Sequence, residues 1–153
     1  MHNEPFFKRS PCELQSLRDK PIAEFFEQKS CPGCDDLHRL VFRQSTTLEQ
    51  LQRFHVIRFD RWSDEPVVTP QGEKTTARQW AEQLNIAYLP AAVLFDAGKE
   101  AIRIEALLKS FHVQSVLDYV ASGAYRSQPS LQRFIRERAD HLREQGITVD
   151  LWN

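Results

Sequence analysis

Cys31-Pro32-Gly33-Cys34 is the stretch that decides how this chain is read. It follows an apolar run, Pro21-Ile22-Ala23-Glu24-Phe25-Phe26, and precedes a segment with helical spacing, Asp35 to Arg43. Side chains at i and i+3 in the first turn of a helix lie close enough to form a disulfide. The first cysteine sits among unpaired N–H groups at the positive end of the helix dipole, which favours a thiolate. A thiolate attacks a disulfide and a thiol barely does, so the placement points to a redox centre. With only three cysteines the chain is no disulfide scaffold. Once Cys31 and Cys34 pair, Cys12 is left over. It reads as a small buried apolar residue, and nothing near it supports the sharper alternative of a resolving thiol.

Working outward, Ser10-Pro11-Cys12-Glu13 reads as a helix start, with Ser10 as N-cap and Leu14 and Leu17 facing inward. Pro21 to Glu27 reads as a strand buried on both faces. The helix opened by Cys31 should bury Leu37, Leu40 and Val41. A short helix carries Leu48, Leu51 and Phe54, capped by Thr46 or Thr47, and His55 to Asp60 alternates as a strand. Ser63 to Gly72, with Pro66 and Pro70, reads as a loop. Thr75 or Thr76 caps a helix that turns Ala77, Trp80, Ala81 and Leu84 inward. Ala91 to Phe95, a turn at 96–99 and Ala101 to Ala106 read as a hairpin. A helix at Phe111–Ala121 stops at Gly123, and Ser130 caps a last one that Gly146 stops. The tail 147–152 is apolar and should pack down. Parallel strands joined by helices, followed by an antiparallel hairpin, imply an α/β fold with a mixed sheet covered on both faces.

Hydrophobic residues make up 41% and charged residues 27%, which is ordinary for a globular chain of one domain over 1–153. A formal net charge of −1, with no block of like charge, argues against nucleic-acid binding and against docking on anionic lipid. No apolar run approaches the ~18 residues that span a bilayer. Met1-His2-Asn3-Glu4-Pro5 lacks the basic opening and apolar core of a signal peptide. The chain is therefore expected to be either cytoplasmic or an exported protein whose signal has been removed.

With CxxC opening the first long helix and Leu89-Pro90 before a buried strand and hairpin, the chain resembles the thioredoxin superfamily. More narrowly, it is similar to the exported thioredoxin-related proteins of the SoxW type. The likeness rests on Lys20-Pro21, Phe26-Glu27, Cys31-Pro32-Gly33-Cys34 and Thr69-Pro70-Gln71-Gly72-Glu73-Lys74, then Tyr88-Leu89-Pro90-Ala91, Phe95-Asp96-Ala97-Gly98-Lys99-Glu100 and Leu117-Asp118-Tyr119-Val120. It covers roughly residues 10–126, and 127–153 form an added helical extension.

The resemblance implies a three-layer α/β/α sandwich and a periplasmic thiol–disulfide oxidoreductase, reducing or isomerising, that acts as a monomer. Cys31 would be the nucleophile, Cys34 the resolving cysteine, and Pro90 a cis-proline lying against the disulfide. Read alone, Pro90 is equally an ordinary strand-start proline. Leu89, Pro32 and Gly33 would bind the substrate, the backbone of Leu89 pairing with an extended segment, and Pro32-Gly33 would also tune the thiolate. Partners would be protein disulfides or dithiols and an upstream thiol donor; no metal or organic cofactor is needed. Three positions depart from the family. Leu89 stands where Thr, Ile or Val is common, and Ser30 replaces an aromatic residue. Phe25 falls where thioredoxin has a buried acid, which Glu24 or Glu27 could replace, although strand glutamates more often face solvent or an edge.

Other candidates are weaker. His38 shares a helix face with Cys31 and Cys34, but a Cys2His zinc site lacks a fourth ligand. Trp80 reads as core and Trp62 as a rim residue. Arg133, Arg136, Arg138 and Arg143 on the last helix read as a solvated face. The alternative function is a non-catalytic binding or redox-sensing module on the same fold; a peroxide-reducing enzyme is weaker still.

Overall fold

In the computed structural model, residues 1–9, 12–106 and 108–152 are described. The elements run β1 (Cys12–Glu13), β2 (Ile22–Glu27), α1 (Pro32–Asp36), α2 (Ser45–Leu51), β3 (His55–Asp60), β4 (Pro66–Val68), β5 (Lys74–Thr76), α3 (Ala77–Gln83), β6 (Ala91–Asp96), β7 (Lys99–Glu105), α4 (Ser110–Ala121) and α5 (Leu131–Glu144). The main sheet has the order β3-β2-β6-β7. β2 pairs parallel with β3 and antiparallel with β6, and β6–β7 is a hairpin, so the sheet is mixed.

Alternation along the strands sends side chains to two cores. Ala23, Phe25, Val56, Ala92 and Leu94 meet Leu37, Val41 and Phe42 beyond α1 and Val113, Val116, Leu117 and Val120 of α4. On the other face Ile22, Phe26, Ile57, Phe59, Val93 and Phe95 meet Ala77, Trp80 and Ala81 of α3. Every residue of β2 is buried, as a central strand covered on both sides requires. The result is the expected three-layer α/β sandwich. A small third cluster, Phe111, Ile135 and Ala139, seats α5 on α4, with Val149 and Leu151 of the tail packed against it; Trp152 stays exposed.

Several local expectations give way. Ser10 and Pro11 lie outside the described residues; Cys12–Glu13 is a short strand and Leu14–Ser16 a single 3-10 turn rather than a helix. The supposed loop at 63–72 contains β4, which with β5 and β1 makes a separate three-stranded sheet. Its prolines fit because Pro66 is a strand's first residue and Pro70 lies in the turn, where Gly72 takes φ +88°. Neither Thr46 nor Thr47 caps α2: Gln44 occupies the N-cap, and buried Thr47 accepts a 3.0 Å hydrogen bond from Gln114. Thr76 and Ser130 do cap α3 and α5.

The redox helix departs most from its expected face. After α1 the chain continues through a π-helical turn, Leu37–Val41, closed by Phe42 N–H donating to the Leu37 carbonyl at 2.9 Å. The extra residue in that turn rotates the side chains beyond it about the helix axis. Leu40 swings out to 61% exposure, while His38 and Phe42 take inward positions. No helix among the described residues is long and apolar enough to cross a membrane.

Candidate active site

Cys31 and Cys34 form a disulfide, with Cα atoms 5.2 Å apart. Cys31 is the N-cap of α1, in extended conformation, and Pro32 occupies the first helical position, where its missing N–H costs nothing. Ser30 adopts φ +53°, turning the chain from the end of β2 into the helix. The Cys31 sulfur accepts a hydrogen bond from the Cys34 N–H at 3.1 Å. In the reduced protein that N–H and the helix terminus both favour a Cys31 thiolate. Cys31 is 6% exposed and Cys34 2%, so Cys31 is the more accessible residue of the pair.

Pro90 is brought to the motif. The Leu89–Pro90 peptide bond is cis, and Pro90 is buried. A Cβ built on Gly33 would lie 2.8 Å from Pro90 Cδ, so the motif's glycine and the proline ring are in close contact. Ala106 N–H donates to the Pro90 carbonyl at 2.9 Å, fixing the strand start against the end of β7. Leu89 is half-buried and packs its side chain into the core on the α3 face, while Tyr88 is exposed. Pro32 is exposed beside the disulfide. A groove of about 360 Å³ flanks the motif, lined by Gly33, Leu40, Val41, Ala106 and Leu108 among others.

The two strand glutamates are neither solvent-facing nor edge charges; both are buried. Glu24 lies on the α3 face, where Trp80 Nε1–H donates to its Oε1 at 2.7 Å and Oε2 has no hydrogen-bond partner among the described residues. Burial pushes its carboxyl up to about 8, against the smaller opposing effect of the Trp80 hydrogen bond. Glu27 meets His38, whose Nε2 lies 2.8 and 2.9 Å from its two carboxylate oxygens. His38 Nδ1 lies 2.7 Å from Glu4 Oε2, and Glu4 also receives Arg43. Both His38 nitrogens are thus engaged by carboxylates.

The N-terminal segment, read only for targeting, is structural. Phe7 bridges to Val56, Phe6 and Phe7 pack on Phe42, and His2 stacks on His38 at 4.8 Å and pairs with Asp35 at 2.7 Å. Local sequence carries no sign of this, since Glu4 meets His38 only across 34 positions. The one available hint is that two glutamates in an apolar, buried strand demand partners. Trp62 donates to Gln28, which lines the cleft beside the cysteines, and so sits at its rim. Cys12 is free and buried, its thiol pushed up to about 11 by burial and by Glu65 and Glu24, which leaves it inert.

By fold the chain is similar to a thioredoxin-fold protein from Helicobacter pylori, with 17% identity, 82% of this chain and 88% of that one covered, and a TM-score of 0.68. It is also similar to a thioredoxin from Thermus thermophilus (19% identity, 71% of this chain and 80% of that one, TM-score 0.52). A third similar structure is oxidised thioredoxin O2 from Arabidopsis thaliana (14% identity, 71% and 83%, TM-score 0.52). A search of the curated proteins finds no match. The family model of the thioredoxin-like domain matches residues 13–121, from β1 to the end of α4, and so takes in the CxxC disulfide and the strand start at Pro90. This chain belongs to the thioredoxin-like domain family.

Proposed function

We propose that this protein is a thiol–disulfide oxidoreductase acting on protein substrates. The observation that carries this reading is the closed Cys31–Cys34 disulfide at a helix N-terminus with Pro90 against its Gly33. Cys31 as thiolate attacks a substrate disulfide to give a mixed disulfide, and Cys34 then displaces the reduced substrate. The groove beside Gly33, lined by Leu40, Val41 and Leu108 together with Asp36, Gln44 and Lys109, gives an extended substrate segment a surface to lie on. The strand start at Leu89-Pro90 offers it backbone to pair with.

The favoured direction is reduction or isomerisation. No Lys, Arg or His lies within the motif, and the acid next to it, Asp35, is paired with His2. The thiolate then leans mainly on the helix terminus and the Cys34 N–H, which argues against a strong oxidant. A glutathione-equilibrated potential near the ~−120 mV of strong oxidants would reverse that direction. An exported location belongs to the same reading and is checked by cell fractionation.

The decisive experiment pairs two variants in an insulin-reduction assay. Cys31→Ser abolishes turnover, whereas Cys34→Ser accumulates mixed disulfides with its substrates. Full activity in Cys31→Ser overturns the assignment.

A further inference from the structure

The residues that follow α4, outside the stretch matched by the family model, build a second cleft. α5 packs on α4 through Phe111, Ile135 and Ala139. Gly146, at φ +81°, then turns the chain, and Ile147 N–H donates to the Leu142 carbonyl at 2.9 Å. Arg143 Nη2 donates to the Val149 carbonyl at 3.2 Å, so the tail comes back along α5. The tail, α2, α4 and α5 together line a cleft of about 550 Å³, the size of ordinary ligand sites. Its lining includes Thr46 and Glu49 of α2, Phe111 of α4, Leu142 of α5, and Ile147 and Val149 of the tail. Arg138, which also lines it, is already engaged by Asp118 and Ser115, so the cleft offers a partner apolar surface before charge.

This cleft continues the groove beside the disulfide. Gln44 and Ser110 line both, and Gln44 Nε2–H donates to Ser110 Oγ at 2.6 Å in a surface hydrogen bond that forms the saddle between them. Gln114, donating to Gln44 Oε1 at 3.2 Å and to Thr47 Oγ1 at 3.0 Å, holds the saddle from the buried side. Leu40 in the groove is 61% exposed and Ile147 in the cleft 48%. A single exposed apolar residue is ordinary, but two along one continuous channel mark surface that a partner covers. Gly33 and Gln44 stand eleven positions apart on the redox helix and the turn after it, about 16 Å at 1.5 Å per residue. An extended segment advances ~3.3 Å per residue, so a cysteine held at Cys31 and a side chain in the cleft lie about five to seven residues apart.

We propose that the cleft built by α5 and the tail is a second subsite for the substrate protein, taking an apolar side chain of the same extended segment whose cysteine reacts at Cys31. This rests on the oxidoreductase reading and deepens it by naming the substrate class. That class is a disulfide in an extended segment with a large apolar residue about five to seven positions from the reacting cysteine. The segment lies in the groove beside Gly33, crosses the Gln44–Ser110 saddle and seats that side chain among Phe111, Leu142, Ile147 and Val149. Continuity with the disulfide groove assigns the cleft to the substrate rather than to a second copy of the chain. The anchor raises the effective concentration of the disulfide at Cys31 without touching either sulfur, so it selects among substrates and leaves the chemistry alone.

Short peptides with one cysteine, activated as a mixed disulfide with nitrothiobenzoate, test this. The Cys31 thiolate of the reduced protein bonds to the peptide sulfur, the peptide–nitrothiobenzoate bond breaks, and its electron pair leaves on the coloured nitrothiobenzoate. With protein and peptide dilute, a peptide bearing leucine at the stated spacing reacts at least about tenfold faster than the same peptide with serine there, the scale of one buried aliphatic side chain. The ratio of the two rates falls toward one in Ile147→Asp and in Thr46→Arg, and it persists in Ile147→Leu. Both positions are exposed, and either variant carries the test should the other fail to fold. A ratio of rates also cancels any general loss of reactivity. A wild-type ratio near one, with leucine walked along the peptide on both sides of the cysteine, overturns the subsite. A ratio that both folded variants leave unchanged does the same. Sedimentation velocity showing a dimer that Ile147→Asp dissolves assigns the cleft to a second copy and overturns it too. Reduced protein that releases no nitrothiobenzoate from either peptide overturns the oxidoreductase reading itself.

Discussion

At the scale of single residues, the motif is shaped by what its glycine lacks. Gly33 has an ordinary backbone conformation, so its role is space: a Cβ there would press on Pro90 Cδ at 2.8 Å. That atom belongs to a ring bonded to the backbone nitrogen and cannot swing aside, so either α1 or the start of β6 must move. Gly33→Ala is expected to cost about 1–3 kcal/mol, the usual range for overpacking. It should also slow insulin reduction, because the disulfide and Pro90 are pushed apart. Urea unfolding and the reduction assay check this; a variant of wild-type stability and rate means the fit is slack. Ser30 and Cys31 work through conformation and position. The left-handed turn at Ser30 delivers Cys31 as the N-cap, where its sulfur meets an N–H that the helix leaves unpaired.

Elements determine which side chains meet. Along the redox helix Cys34, Leu37, His38, Val41 and Phe42 are buried and Leu40 is exposed, so the inner face runs through His38 rather than Leu40. The last helix makes the same point in charge. Arg133, Arg136 and Arg143 are exposed as a solvated face predicts. Arg138 is not: its Nε lies 3.4 Å from Asp118 Oδ2, it donates to Ser115 Oγ, and its guanidinium covers the Phe111 ring at 4.9 Å. It fastens α5 to α4. Arg138→Ala is expected to cost about 1–2 kcal/mol, because the hydrogen bond and the packing on the Phe111 ring disappear together with the charge. Amide exchange across 131–144 should speed up while β2 and β6 keep their protection; uniform exchange behaviour would place Arg138 on the solvated face after all.

For the whole molecule, buried ionisable groups make stability depend on pH in one direction. The Glu24 carboxyl, raised by burial to about 8 from an ordinary 4.5, keeps its proton in the folded chain and loses it in the unfolded one. Its stabilising effect is complete below pH 4.5 and is lost as pH climbs toward 8. His38, also raised, contributes below its ordinary value and loses that contribution as pH passes its folded value. Stability should therefore fall between about pH 5 and 8 through Glu24, by up to ~1.4 kcal/mol per pH unit, with His38 adding to the fall above its ordinary 6.5. Glu24→Gln, uncharged throughout, should flatten the fall, as read from urea midpoints at half-unit steps. A variant curve parallel to wild type would show that Glu24 is ionised in the folded protein.

Some of this was legible in the linear chain because its causes are local. The spacing of Cys31 and Cys34, the apolar run of β2, the caps at Thr76 and Ser130 and the stops at Gly123 and Gly146 each act within a few residues, and together they specified the redox motif and the α/β order. Pairings across long separations were decided only by the folded chain. Glu4 meeting His38, Trp80 meeting Glu24 and Arg138 meeting Asp118 leave no periodic mark. The small β1-β4-β5 sheet escaped for the same reason, since three-residue strands with a proline are too short to show a pattern. A buried charge is stable only beside its counter-charge, and which residues become neighbours is set by how the layers close.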